Sequence, residues 1–211
     1  MTYNDGTEFQ KKGAALISQE SIRLEALKKQ GLPEAAALAS RCMAESDYYR
    51  TLYPDISVDE RSRLLAAQML PTIACCAEKG SAFALWDDKL MVAYEYMADY
   101  GQLKMEAPAL YRHIFMENPS SPSQRELVET LDALLASGHR VTYVLGLGIA
   151  QQYRKNVSVL MKLLRLNKKL LAESEIIAAD FTNRELLSIC ALHGPFEVRK
   201  LAENYWLLVK N

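Results

Sequence analysis

The sequence predicts an all-α protein, a bundle-like array of eight or nine helices with no convincing strand. Three observations lead to this prediction. Apolar residues recur at helical spacing in several segments, Ser/Thr-x-x-Glu capping boxes mark helix starts, and glycine or proline ends most segments. The 211 residues are 50% hydrophobic and 24% charged, which is the composition of an ordinary globular protein rather than a disordered one.

The N-terminal half is predicted to consist of helices separated by proline and glycine. The residue before Pro54 avoids helical backbone, so a helix should end there. Ser57 and Glu60 form a capping box for the next helix, which Pro71 is expected to kink or break. In chain order, the predicted helices cover residues 7–30, 33–53, 58–80, 81–100 and 103–117.

The C-terminal half is predicted to continue in the same way. Ser123 with Glu126, and Thr182 with Glu185, read as two further capping boxes. Residues 141–144 have strand propensity, but no partner strand is predicted elsewhere, so residues 139–150 are interpreted as a short helix. Apart from that short segment, the predicted helices cover residues 125–137, 151–171, 184–192 and 196–209.

A cluster of prolines and serines at residues 118–123 predicts a loop or a domain linker. It separates an acidic N-terminal helical region, residues 1–118, from a C-terminal helical region, residues 123–211, and leaves open whether the two pack as one domain. Charge is distributed unevenly between the halves. Residues 1–132 contain 14 bases and 20 acids, whereas residues 133–172 contain seven bases and no acid. Such asymmetry suggests a face that binds an anionic partner.

Residues 151–171 form the most conspicuous charge pattern in the chain. At 100° per residue, six Lys/Arg side chains fall within an arc of about 140°, and leucines occupy the opposite side. Because a core would claim the leucines, membrane insertion is not predicted. The partner is predicted to be nucleic acid, with the basic side chains as phosphate clamps, or an acidic protein surface. The candidate binding residues are Gln151, Gln152, Arg154, Lys155, Lys162, Arg165, Lys168 and Lys169.

The same region has the layout of a helix-turn-helix, with residues 141–147, a turn and a helix from Gln151. Four short motifs lie in or just after this region: Leu147-Gly148-Ile149, Leu171-Ala172-Glu173-Ser174, Ile176-Ile177, and Phe181 with Leu186-Leu187. On these motifs, residues 141–187 resemble the D subunit of the bacterial flagellar master transcription activator. That family is all-helical and works with a C subunit on promoter DNA, so the resemblance implies transcription regulation.

No pattern for catalysis or cofactor binding was found. Gly146-Leu-Gly148 lacks the third glycine of a dinucleotide-binding loop, because Gln151 occupies that position. The cysteines have no metal-ligand spacing. Four acids on one predicted helix are interpreted as a solvated face: Asp87, Asp88, Glu95 and Asp99. The sequence therefore predicts no catalytic residue, no metal site, no cofactor and no enzyme activity.

The resulting prediction is a non-enzymatic regulatory protein of bacterial type that binds nucleic acid through residues 151–171. The alternative is an all-α adaptor or secretion-type chaperone that binds a protein partner. In either case the chain is expected to be an oligomer or a complex subunit. A cytoplasmic location is expected, because no secretory signal precedes the first predicted helix and the cysteines are best read as reduced thiols.

Overall fold

Seven strands form one mixed sheet in the computed structural model, which describes residues 21–116, 121–173, 175–191 and 196–210. The strands are β1 (Ile22–Ala26), β2 (Ala82–Asp87), β3 (Leu90–Asp99), β4 (Val141–Ile149), β5 (Ile176–Phe181), β6 (Phe196–Ala202) and β7 (Tyr205–Lys210). Their order is β1-β2-β3-β4-β5-β7-β6. Only β4 and β5 run parallel, and every other neighbouring pair is antiparallel. The prediction of an all-α array without strands is therefore wrong.

Eight α-helices and two short 3-10 turns complete the described part of the chain. The helices are α1 (Leu32–Ala44), α2 (Asp47–Leu52), α3 (Val58–Glu78), α4 (Tyr100–Glu106), α5 (Pro108–Phe115), α6 (Pro122–Ala136), α7 (Val157–Glu173) and α8 (Arg184–Ala191). The 3-10 turns cover Lys29–Gly31 and Gln151–Tyr153. Helices α4, α5 and α6 form one continuous insertion between β3 and β4.

Several local helix signals act as the sequence predicts. Ser57 and Glu60 make both bonds of a capping box at the start of α3, with Glu60 N donating to Ser57 Oγ at 3.2 Å. Gly138 follows α6 in the left-handed region, at φ 87°. Pro71 is an exception, since it lies inside α3 without interrupting it. At α8 the cap is Asn183 rather than Thr182, because Asn183 Oδ1 accepts Leu186 N at 3.0 Å.

The wrong assignments of element type all concern strands that were predicted as helices. Residues 81–100 form the β2–β3 hairpin, turned by Asp88 at φ 53°, and residues 196–209 form most of the β6–β7 hairpin, turned by Asn204 at φ 57°. Both segments are rich in aromatic and β-branched residues, which favour strands. Residues 139–150 contain β4, whose partner β3 had itself been predicted as a helix. One wrong assignment thus removed the partner that a second strand required.

At the N-terminus, the predicted helix over residues 7–30 is contradicted where the structure describes it. Residues 1–20 lie outside the described residues, and Ile22–Ala26 pairs with β2 as an edge strand. Only Ile22 of this strand is buried. The remaining residues of Ile22–Ala26 have good helix propensity, so pairing with β2 outweighs the local preference.

The helices cover both faces of the sheet. Helices α1 and α3 pack on one face, and the inserted helices α4, α5 and α6 extend that layer over β4, β5 and β7. Helices α7 and α8 cover the opposite face. The side chains of Val159, Leu163 and Leu166 on α7 are buried, so the apolar side of the basic helix does belong to the core.

The proposed boundary at residues 118–123 lies partly outside the described residues, which omit 117–120. Strand β3 from the first region pairs with β4 from the second, so both regions contribute strands to one sheet. The division into residues 1–118 and 123–211 stays a prediction.

Candidate active site

Strands β4 and β5 form a fork. They pair only from Val141 to Val144, opposite Ile176 to Ala179. Directly beyond this point β4 contains one extra residue, Leu145, because the register with β3 passes from Val144 to Gly146. Such a bulge bends a strand. Past the bulge β4 continues beside β3 and β5 continues beside β7, so the two central strands diverge and a cleft opens between them.

Two glycines shape the β4 side of this fork. A Cβ atom on Gly146 would lie 2.5 Å from the ring of Tyr96, and one on Gly148 would lie 2.5 Å from the ring of Tyr94. Both rings are buried, and they stack with centroids 5.9 Å apart. A side chain at either glycine would force these rings to move, so the close approach of tyrosine to the β4 backbone requires glycine.

The cleft contains a cavity of about 1050 Å³. Its lining comes from helices on both faces of the sheet, with Glu45 and Tyr49 near α1 and α2 and with apolar residues of α7 and α8. The strands contribute β4 residues 144–149 and Asp180. A cavity that joins both faces can admit two different molecules from opposite sides and bring them together at the fork.

The α7 side of the cavity has a cationic rim. Arg154 and Arg165 both line the cavity. Arg154 Nη2 forms an ion pair with Glu45 Oε2 at 3.0 Å, and its Nε donates to the main-chain oxygen of Ile149 at 3.3 Å. Arg154 thus joins the end of β4 to the end of α1 across the edge of the cleft.

At the narrow end of the fork lies the carboxyl group of Asp180, at the cavity wall. The hydroxyl of Tyr143 donates a hydrogen bond to Asp180 Oδ1, and Tyr205 makes a second one. Burial raises the pKa of Asp180 above its usual range, although the two hydrogen bonds oppose this shift. Burial also raises the pKa of both tyrosines, and Asp180 adds to that rise.

A second acid, Glu95, is buried on the α7–α8 face of β3. It is 1% exposed and lines the cavity near Cys190 of α8. Burial raises the pKa of the Cys190 thiol to about 12, and the nearby Glu95 carboxylate adds to the shift. The interpretation of Glu95 as part of a solvated acidic face is therefore wrong. A single acid in the apolar run Val-Ala-Tyr-Glu-Tyr-Met was the available signal.

The predicted binding residues are spread along the loop after β4 and along α7. Arg154 and Arg165 line the cavity but are exposed at its edge. Gln151, Gln152, Lys155 and Lys169 are exposed away from the cavity, and Lys162 is half-buried. The side chain of Lys168 lies outside the described residues. Two of the eight candidates thus line the cavity, and binding by any of them stays a prediction. The residues at the fork that were not among the candidates are Asp180, Glu95, Tyr143 and Tyr205.

Two classes of site are not present in the part of the chain that the structure describes. No three His, Cys, Asp or Glu side chains are grouped so that they could hold a metal ion. No helix combines the length and the apolarity needed to cross a bilayer.

No protein-family model matches the sequence, and no curated protein matches it. Solved structures do match over 90% of the chain. The C-terminal condensation domain of Ebony, in complex with β-alanyl-dopamine, has a TM-score of 0.61 at 9% identity over 98% of its length. An arylalkylamine N-acetyltransferase 7 from the yellow fever mosquito has 0.59 at 11% over 86%. The PaiA N-acetyltransferase from Thermoplasma acidophilum, in complex with coenzyme A, has 0.54 at 12% over 99%.

The fold is therefore the mixed α/β, GNAT-like fold of N-acetyltransferases. This finding overturns four linked predictions. The resemblance to the flagellar activator subunit fails, because residues 141–149 and 176–181 are strands rather than helices. The predicted non-enzymatic regulator, its nucleic-acid or acidic protein partner, and the alternative adaptor or chaperone all depended on an all-α fold. They are wrong for the same reason, and the likeness is to enzymes.

Proposed function

We propose that the protein is a cytoplasmic N-acetyltransferase that uses acetyl-CoA and a small amine. The observation that carries this proposal is the fork at Leu145, which opens the sheet between its two parallel strands. The fold likeness supports it, since one similar structure is an arylalkylamine acetyltransferase and another is in complex with coenzyme A. The four cysteines are free thiols, as expected in a reducing compartment.

The fork fits the elongated, amide-containing arm of coenzyme A. From Leu145 to Ile149, β4 extends about 14 Å at roughly 3.4 Å per residue. Among the described residues no strand pairs with this stretch on its β5 side. An extended ligand with amide groups can bind such an edge as an added strand does. Bound acetyl-CoA would supply a thioester whose carbonyl carbon is attacked by the amine nitrogen.

The phosphate groups would be held by side chains rather than by a helix N-terminus. Asn156 Oδ1 already accepts the N–H groups of Ser158 at 2.9 Å and Val159 at 3.3 Å at the start of α7. The loop of residues 150–156 contains no glycine that would let the main chain approach a phosphate closely. Arg154, Lys155 and Arg165 are the nearest cations, and arginine suits phosphate because its donors form a planar fork.

Apolar side chains would keep water away from the ligand. Leu147 on β4 and Leu160 and Leu164 on α7 line the same cavity as the cationic rim. The rim therefore attracts the charged end of the cofactor, and the leucines pack against its uncharged arm. This arrangement directs the reactive end of the cofactor toward Asp180.

Calorimetric titration with coenzyme A tests the cofactor site. Arg165→Gln removes a cation at the cavity, whereas Lys169→Gln removes an exposed cation one helical turn away that does not line the cavity. We expect Arg165→Gln to weaken binding about tenfold, corresponding to loss of a charged hydrogen bond of about 1.4 kcal/mol. Lys169→Gln should change the affinity less than about twofold, because this side chain does not line the cavity and an exposed charge without a direct contact contributes little.

Acetyl transfer is tested by following thiol release from acetyl-CoA with an aromatic amine, tyramine, and an aliphatic one, putrescine. Release that depends on the amine supports the proposal. Absence of coenzyme A binding at millimolar concentration, together with absence of amine-dependent thiol release, contradicts it. Equal effects of the two substitutions would leave no support for the cationic rim as the phosphate site.

A further inference from the structure

Asp180 occupies a special position in the fork. It directly follows Ala179, the last residue of β5 that pairs with β4, and it lies close to the bulge at Leu145. Its side chain is partly exposed and forms part of the cavity wall. Any ligand whose reactive end reaches the apex of the fork would therefore meet this carboxyl group.

The surroundings of Asp180 fix its orientation. Tyr143 of β4 and Tyr205 of β7 donate hydrogen bonds to it from behind the cavity wall. The ring of Tyr205 stacks on that of Tyr48 of α2, with centroids 4.6 Å apart and an interplanar angle of 22°. Tyr49 of α2 also lies near the carboxyl group and lines the cavity. The carboxylate is thus rigidly held and open toward the cavity.

No Lys, Arg or His among the described residues forms an ion pair with Asp180. Five tyrosines interact electrostatically with it, and none is cationic: Tyr48, Tyr49, Tyr96, Tyr143 and Tyr205. The cations that line the same cavity, none of which forms an ion pair with Asp180, are Arg154, Arg165, Arg184 and Lys210. A carboxylate in a poorly solvated site attracts a cation strongly, because little water competes. An ammonium group of a ligand would supply the missing charge.

We propose that Asp180 binds the ammonium group of the acceptor and takes its proton before transfer. This inference rests on the acetyltransferase function proposed above. One proton moves from the ammonium nitrogen to Asp180 Oδ, which leaves a neutral amine with a lone pair. The lone pair forms the N–C bond to the acetyl carbonyl carbon, and the C–S bond breaks. The second proton lost by nitrogen goes to the departing sulfur, and Asp180 later releases the first to water.

Asp132 of α6 provides a matched control. Its Oδ1 also accepts a tyrosine hydroxyl, that of Tyr100 at 2.8 Å, but it pairs with Lys104 Nζ at 2.7 Å and does not line the cavity. Asp180→Asn and Asp132→Asn therefore make the same chemical change at two tyrosine-held carboxylates. Only Asp180→Asn should weaken the binding of an amine in the cavity.

The test measures three quantities for wild type and both variants: coenzyme A affinity, tyramine or putrescine affinity with coenzyme A bound, and kcat/KM against pH. We expect Asp180→Asn to keep coenzyme A affinity within about twofold and weaken amine binding about tenfold. It should lower kcat/KM at least about 100-fold, as loss of proton transfer does. Wild-type kcat/KM should rise with pH as Asp180 ionises, and Asp180→Asn should lack this rise. Asp132→Asn should match wild type throughout.

The outcomes separate the inference from the proposed function. Suppose that wild type binds coenzyme A and transfers acetyl, but Asp180→Asn retains both amine binding and the rise of kcat/KM with pH. The inference is then overturned and the proposed function stands. If wild type neither binds coenzyme A nor transfers acetyl, the proposed function fails first. If Asp180→Asn unfolds and loses coenzyme A binding, Tyr205→Phe is tested in its place. A profile of kcat/KM against pH that is the same in Tyr205→Phe as in wild type overturns the inference.

Discussion

Asp132 and Asp180 both accept hydrogen bonds from tyrosine hydroxyls, and the difference between them separates a structural cluster from a functional one. Asp132 lies in the insertion between β3 and β4, where Tyr100 and Lys104 both donate to it. Tyr100 also bonds to Tyr111 at 3.0 Å, and Lys104 Nζ lies 5.5 Å from the centre of the Tyr111 ring. Every charge in this cluster has an opposite charge or a ring beside it.

Asp180 has the same kind of tyrosine partners, but no cation of the described residues forms an ion pair with it. Tyr143 and Tyr205 hold it, and burial raises its pKa, which means that its charged form is poorly stabilised by the protein alone. Such a site costs stability unless a ligand completes it. Because perturbed acids beside cavities concentrate at functional sites, the missing cation indicates function, whereas the complete cluster around Asp132 indicates folding.

The largest effect expected on stability concerns the complete cluster. Tyr100 is 0% exposed, and Tyr100→Phe deletes two hydrogen bonds, one to Asp132 and one to Tyr111. At about 1 kcal/mol for each bond, the free energy of unfolding should fall by about 2 kcal/mol. Tm should fall by about 4–8 °C. Urea unfolding and calorimetry measure both quantities, and coenzyme A affinity should not change. A loss of affinity as large as that of Arg165→Gln would show that the two regions are not separate.

A smaller effect is expected on the ionisation of Asp180, whose cluster with Tyr143 and Tyr205 has no cation partner among the described residues. Tyr205→Phe removes one donor to Asp180 and keeps the ring that stacks on Tyr48. Because that donor stabilises the charged carboxylate, its loss should raise the pKa of Asp180 further. The rise of kcat/KM with pH should therefore occur about one pH unit higher, corresponding to about 1.4 kcal/mol. Tyr111→Phe, which removes a hydroxyl from the other cluster, should leave the profile in place. Equal shifts in both variants would contradict the distinction.

The smallest effect is expected from the salt bridge. Lys104 and Asp132 have side chains that are 40% and 39% exposed, so Lys104→Met should cost only about 0.2–1 kcal/mol at pH 7. The hydrogen bond to Asp132 raises the pKa of Lys104, so this stability is complete below the ordinary lysine pKa of about 10.4 and is lost as pH rises through the raised value. The free energies of unfolding of wild type and Lys104→Met, measured with urea, should therefore become equal in strongly alkaline buffer. A difference that stays constant with pH would mean that packing, rather than charge, holds Lys104.

Helix boundaries could be predicted where the signal is local. The capping box of Ser57 and Glu60 and the glycine after α6 both act within a few residues of chain. The basic run along α7 was also visible, and its apolar side is buried as expected. What it binds could not be read, because Arg154 and Arg165 gain their meaning from a cavity that β4, β5 and α8 also build.

The strands could not be predicted with the same security. Residues 81–100 have apolar residues at spacings that fit either element, and their hairpin turn at Asp88 lacks the glycine that usually marks such turns. Once these residues were assigned to a helix, β4 had no partner. The Asp180 cluster was hidden for a related reason. Tyr143, Asp180 and Tyr205 come from three strands far apart in the chain, and no spacing connects them.

By itself the sequence determined where several helices begin and end, that α7 and the loop before it are basic, and that glycines occupy positions 146 and 148. Tertiary structure alone decided that four predicted helical segments contain strands and that β4 and β5 separate at Leu145. It also decided that Asp180 lies at the cavity wall without an ion-pair partner among the described residues. The physical reason is the range of the interactions. Helical hydrogen bonds and caps join residues three or four apart, whereas strands and forks exist only through partners that the rest of the fold supplies.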